Sequence, residues 1–92
     1  MTITVRYLAQ IKLAAGTSME QVDAAPGCTA RRLVTLLGKE RGGSLGPALL
    51  TSEGALRSSL LVFVGEQQVP AGEDTELRDG DELVILSPIA GG

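Results

Sequence analysis

The chain has 92 residues, eight of them Lys or Arg and eleven Asp or Glu, for a net charge of −3, and it lacks His and Trp. No His means no Ser-His, Cys-His or His-metal constellation, and no metal site is expected. A mildly acidic surface with no basic stripe, and with only Tyr7 and Phe63 as aromatics, gives nucleic acid neither counter-charge nor a stacking platform.

One domain with one core fits this length. The single cysteine, Cys28, allows no internal disulfide, and the N-terminus does not read as a signal peptide. The longest apolar run, Leu60 to Val64, is five residues and far too short to span a bilayer. The expected setting is the cytoplasm, with no membrane association.

Along the chain, Thr2 to Leu8 alternates, with Ile3, Val5 and Tyr7 on one face, and predicts a half-buried strand. "AQIKLAAG" is a short connector or helical turn closed by Gly16, and "TSMEQVDA" a weaker strand that would form a hairpin with the first. The main helix is predicted from Thr29, a suitable N-cap, to Arg41. Its stripe is Ala30, Leu33, Val34 and Leu37, and Gly42-Gly43 supplies the stop. Gly38 interrupts that pattern.

"SLGPALLTSEGALRSS" reads as loop, punctuated by Gly46-Pro47 and Gly54. "LLVFV" is a strand apolar on both faces, Gly65-Glu66 a turn, and "QQVP" a short return strand that Pro70 ends. The loop that follows is acidic, six acids falling between Glu73 and Glu82. It reads as solvated surface rather than a calcium loop, since Thr75 and Leu77 would occupy its first ligand positions. "ELVILS" is the last strand, before Pro88 and "IAGG".

The resulting order is β, β, α, β, β, β: an α+β domain, one main helix packed on one face of a small mixed sheet. That helix covers one sheet face only, yet both alternation classes of the last strand and of "LLVFV" are apolar. Leu61, Leu83 and Ile85 are expected in the core. Val62, Val84 and Leu86 are expected as an exposed apolar patch that docks a partner. Cys28, before the helix, is expected to be structural, because no base accompanies it. Arg31 and Arg32 read as a solvated helix face.

The opening "VRYLAQIKLAAGTS", the turn "RDGDE" before a hydrophobic strand, and the ending "SPIAGG" resemble the MoaD/ThiS family of ubiquitin-like sulfur carriers, across essentially the whole chain. The resemblance implies a β-grasp domain over residues 1–87 and a flexible Gly-Gly tail over 88–92. It also implies a carrier rather than an enzyme. An activating adenylyltransferase would use ATP on the Gly92 carboxylate, which would then become a thiocarboxylate. Pro88, Ile89, Ala90 and Gly91 would form the arm that threads the partner's channel, where residues without a Cβ fit a narrow passage. No cofactor would be bound by the chain itself. Length and opening are most similar to the small subunit of molybdopterin synthase, with its large subunit as sulfur acceptor. Alternatives are a carrier for cysteine, thiamine or tRNA thiolation, a protein modifier conjugated through Gly92, or a binding module with an inert tail.

Overall fold

The computed structural model describes residues 1–88; the expectations for Ile89, Ala90, Gly91 and Gly92 lie outside the described residues. Five strands form one sheet: β1 (Thr2–Leu8), β2 (Met19–Asp23), β3 (Leu61–Val64), β4 (Gln67–Gln68) and β5 (Glu82–Ser87), in the order β2-β1-β5-β3-β4. The two central strands, β1 and β5, are parallel, and the other pairs are antiparallel. Of the four successive apolar residues of β5, Leu83 and Ile85 enter the core, whereas Val84 and Leu86 are only half-buried on the other face.

The helix over the sheet, α2 (Ala30–Arg41), starts where expected: Thr29 accepts a hydrogen bond from the Arg32 N–H at 3.3 Å. Ala30, Leu33, Val34 and Leu37 are all buried against Ile3, Val5, Tyr7, Val62, Leu83 and Ile85 of the sheet in one core. The connector after β1 is a complete short helix, α1 (Ala9–Ala15), which buries Ile11 and ends on Gly16 at φ +77°. A side chain there would meet no neighbour, but that left-handed backbone conformation is strained for a residue with a Cβ, so glycine is favoured.

The segment expected to be loop from Ser44 to Ser59 contains a further helix, α3 (Leu45–Leu49). Pro47 sits in its first turn, where a missing N–H removes no intrahelical bond, so the residue read as a breaker belongs inside the helix. Leu45 and Leu49 of α3, with Leu50, Leu60, Val69 and Leu77 from the loops, complete the core. Gly38 keeps its place in a regular α2 because α3 packs there: a Cβ on Gly38 would lie 2.8 Å from Leu50 Cγ.

Candidate functional site

The outer face of the sheet is built by register. Leu61 lies opposite Leu86 and Phe63 opposite Val84 on the β3 side, while Arg6 and Leu8 of β1 lie opposite Val84 and Leu86 on the other. Directly paired residues share a face, so Leu8, Leu61, Phe63, Val84 and Leu86 form one half-buried apolar group facing away from α2. Arg6 and Glu82 border it, 3.8 Å apart and both well exposed. An exposed pair at that separation contributes little to stability.

Val84 and Leu86 therefore lie on the open face, as expected, and Leu83 and Ile85 in the core. Val62 does not: it is 1% exposed and pairs with Ile85 on the core side, while Leu61, expected in the core, faces outward. The assignment of β3 was inverted because every residue from Leu60 to Val64 is apolar, and period-2 reading of such a run cannot choose a face. Only the pairing of Leu61 with Leu86 fixes it. Phe63 and Leu8 are thereby added to the candidate surface.

The chain leaves this face at one corner. Ala9, which follows β1, forms a parallel bridge with Ser87 at the end of β5. Ala9 has φ +55°, an unusual value for a residue with a Cβ, and it turns the chain directly from strand into α1. Pro88 follows, exposed, beyond the last ladder position.

Around the sheet, the charged side chains are used to hold loops. Arg31 donates to the carbonyls of Glu73 (2.5 Å), Pro70 (2.8 Å) and Val69 (3.2 Å), so it clamps the loop before β5 rather than standing in solvent. Asp74 Oδ1 accepts from the Arg31 N–H at 3.0 Å and the Thr75 N–H at 2.8 Å. Partial burial opposes the charge of Asp74, but hydrogen bonds from Arg31, Thr29 and Thr75 outweigh it and hold the carboxyl below its ordinary value. Asp79 takes the Thr2 N–H at 2.7 Å and Asp81 the Arg78 N–H at 2.8 Å. Part of the acidic segment is thus a set of backbone ties rather than a merely solvated surface.

Cys28 is buried, its thiol directed to the Thr29 carbonyl at 3.6 Å. Among the described residues no group of three or more His, Cys, Asp or Glu is placed to hold a metal ion, and no helix is long and apolar enough to cross a membrane. What the geometry presents is an apolar sheet face with a chain exit at its corner.

The model of the ThiS family matches residues 5–92. The chain belongs to the ThiS family. Its fold is the ubiquitin-like β-grasp, shared over 100% of both chains with the crystal structure of SAMP1 (small archaeal modifier protein 1) from Haloferax volcanii, at 22% identity and a TM-score of 0.82. Urm1 from Trypanosoma brucei is 33% identical over 99% of this chain and 95% of its own, with a TM-score of 0.71. A protein–protein complex of subunits 1 and 2 of molybdopterin-converting factor from Helicobacter pylori contains a similar chain: 21% identity, 100% coverage of both, TM-score 0.63. No curated protein sequence matches the chain. This ThiS-family member thus falls among ubiquitin-like sulfur carriers and modifiers.

Proposed function

We propose that this ThiS-family protein is a sulfur carrier whose working group is the carboxylate of Gly92, and that it serves as the small subunit of a molybdopterin synthase. The observation that carries the reading is the family match, which runs through the Gly-Gly ending to residue 92. The fold supports it: β5, the strand that leads to that ending, is central and anchored on both sides, so the domain holds the start of the tail firmly.

The chemistry follows from the carboxylate's poor electrophilicity. An activating enzyme joins the Gly92 carboxylate to the α-phosphate of ATP and releases pyrophosphate. A sulfide equivalent then attacks the acyl carbon, AMP leaves with the bridging oxygen, and a thiocarboxylate remains. The thiocarboxylate sulfur then bonds to a carbon of an acceptor in the second partner and displaces its leaving group. Water cleaves the acyl C–S bond, so that sulfur stays on the acceptor and the Gly92 carboxylate returns. None of these steps needs an acid, base or nucleotide site on this chain. The protein is therefore a cosubstrate, and ATP and the catalytic groups belong to the partners. The apolar group of Leu8, Leu61, Phe63, Val84 and Leu86 is the surface through which it docks. The subunit 1–subunit 2 complex of the Helicobacter pylori relative supports a large-subunit partner.

A second reading, a protein modifier joined through Gly92 to target lysines, is favoured by the likeness to small archaeal modifier protein 1. Intact mass of the protein from its native cells separates the two. A species heavier by one oxygen-to-sulfur exchange, absent when Gly92 is deleted, is the result expected of a carrier. High-mass conjugates without that species would replace the carrier by the modifier.

A further inference from the structure

Whatever enzyme receives the tail must bring the mouth of its channel to the root of the tail, at Ser87 and Pro88. Groups beside that root are covered in every such complex, whichever part of the sheet face a given partner uses. The residues that flank the root are those of the corner where Ala9 bridges Ser87.

Two large apolar side chains are prominently exposed among the described residues, Leu13 at 75% and Met19 at 54%. Leu13 lies on α1, about one turn past the Ala9 bridge, and Met19 lies on β2, across β1 from Val84. A helical side chain leans over the turn N-terminal to its own Cα, so Leu13 of α1 covers the Ala9–Gln10 turn. Met19, at the start of β2, is paired with Arg6. Between Met19 and α1 lies a cleft of about 420 Å³ whose walls include Leu8, Ala9, Lys12 and Met19. It opens onto the same corner and is continuous, through Leu8, with the apolar sheet face.

An exposed leucine on a short helix does nothing for the core, whose α1 contribution is Ile11. The charges of the cleft are also unbalanced. Arg6 faces Glu82 at 3.8 Å, whereas the Lys12 ammonium has no hydrogen-bond or ion-pair partner among the described residues.

We infer that Leu13 and Met19 are docking contacts for the rim of the channel that receives the tail, and that this rim is apolar with one carboxylate set against Lys12. The occupant is a partner protein's surface, and the inference rests on the sulfur-carrier reading. It makes α1 a second docking element beside the sheet.

ATP–pyrophosphate exchange by the cognate activating enzyme, measured at rising concentrations of the full chain, tests it. Leu13→Gln and Met19→Gln each raise the half-saturating concentration about tenfold with the maximal rate unchanged, the loss expected for an apolar anchor removed from an interface. Lys12→Glu raises it as well, and flattens or reverses its dependence on salt. Half-saturation at the parent value in either apolar variant overturns the docking role. Parent-like behaviour of Lys12→Glu overturns the carboxylate. Loss of the thermal unfolding transition in Leu13→Gln or Met19→Gln also overturns the inference, because it would make these residues structural. Deletion of Gly92 keeps the two ideas apart: it abolishes exchange if the carrier reading holds, and undiminished exchange would remove that reading and this one together.

Discussion

At the scale of single residues, the most consequential polar group is the phenol of Tyr7. The ring is fully buried, and its hydroxyl donates to Glu20 Oε2 at 2.6 Å. The same carboxylate accepts from Arg41 Nη1 at 2.9 Å and is also paired with Nη2, so one acid ties β1, β2 and the end of α2 together. Burial first, and then the bond to Glu20, push the phenol above its ordinary value of 10.0. The sign of the pH effect follows: the unfolded chain ionises its tyrosine near 10 and the folded chain does not. The unfolded state therefore binds fewer protons above that pH, and stability is intact below about pH 10 and falls as pH rises beyond it. Tyr7 is the sole tyrosine, so the tyrosinate absorbance in an alkaline titration reports it alone. That absorbance is expected to rise together with loss of the circular dichroism of the fold. Ionisation near 10 with the dichroism intact would count against the network. Tyr7→Phe leaves Glu20 satisfied by Arg41 and is expected to cost about 1 kcal/mol at neutral pH, by chemical denaturation.

At the scale of elements, the approach of α2 to α3 depends on two glycines. A Cβ on Gly38 would meet Leu50 Cγ and Cδ1 at 2.8 Å, and one on Gly46 would meet the Gly38 carbonyl oxygen at 3.1 Å. Gly38→Val is therefore expected to overpack the contact and lower the unfolding free energy by about 2 kcal/mol in denaturant melts. A variant as stable as the parent would show that Leu50 yields freely. This contact also marks where reading the sequence stops. The α2 stripe, its Thr29 cap and the bounds of the last strand were legible because periodicity and capping are local. Gly38 read as a flaw in the helix, and Gly46-Pro47 as loop punctuation, because the reason for both is a neighbour distant in the chain. The same holds for Arg31, which read as solvated because its three carbonyl partners lie about the far loop, and for Leu61 and Val62, whose faces depend on the register with β5. The acidic loop likewise gave no local sign that Asp74 reaches back to the first turn of α2. The Gly-Gly ending was legible as a motif alone, and it lies outside the described residues.

At the scale of the molecule, the sheet buries one face under α2 and leaves the other open, and a pair of substitutions on adjacent strands tests the proposal that the open face is the docking surface. Leu86 and Val62 are both aliphatic strand residues, on β5 and β3, and sequence alone placed them together on the docking surface. The register sets them on opposite sides: Leu86 opposite outward-facing Leu61, Val62 opposite Ile85 in the core. An arginine at position 86 can extend over the open face with its charge in water, as long basic side chains do on apolar surfaces. Leu86→Arg is thus expected to cost about 1 kcal/mol or less. An arginine at position 62 would bring an unpaired charge under α2, where Val62 is 1% exposed. That exceeds about 4 kcal/mol, most of the net stability of a domain this size. Val62→Arg is therefore expected to abolish the cooperative thermal transition, while Leu86→Arg keeps it and loses partner binding. If Leu86→Arg unfolds the protein, the outer face is structural and the docking surface must be sought elsewhere. If it folds and still binds, the apolar face is not the contact, and the corner of α1 would have to carry docking alone.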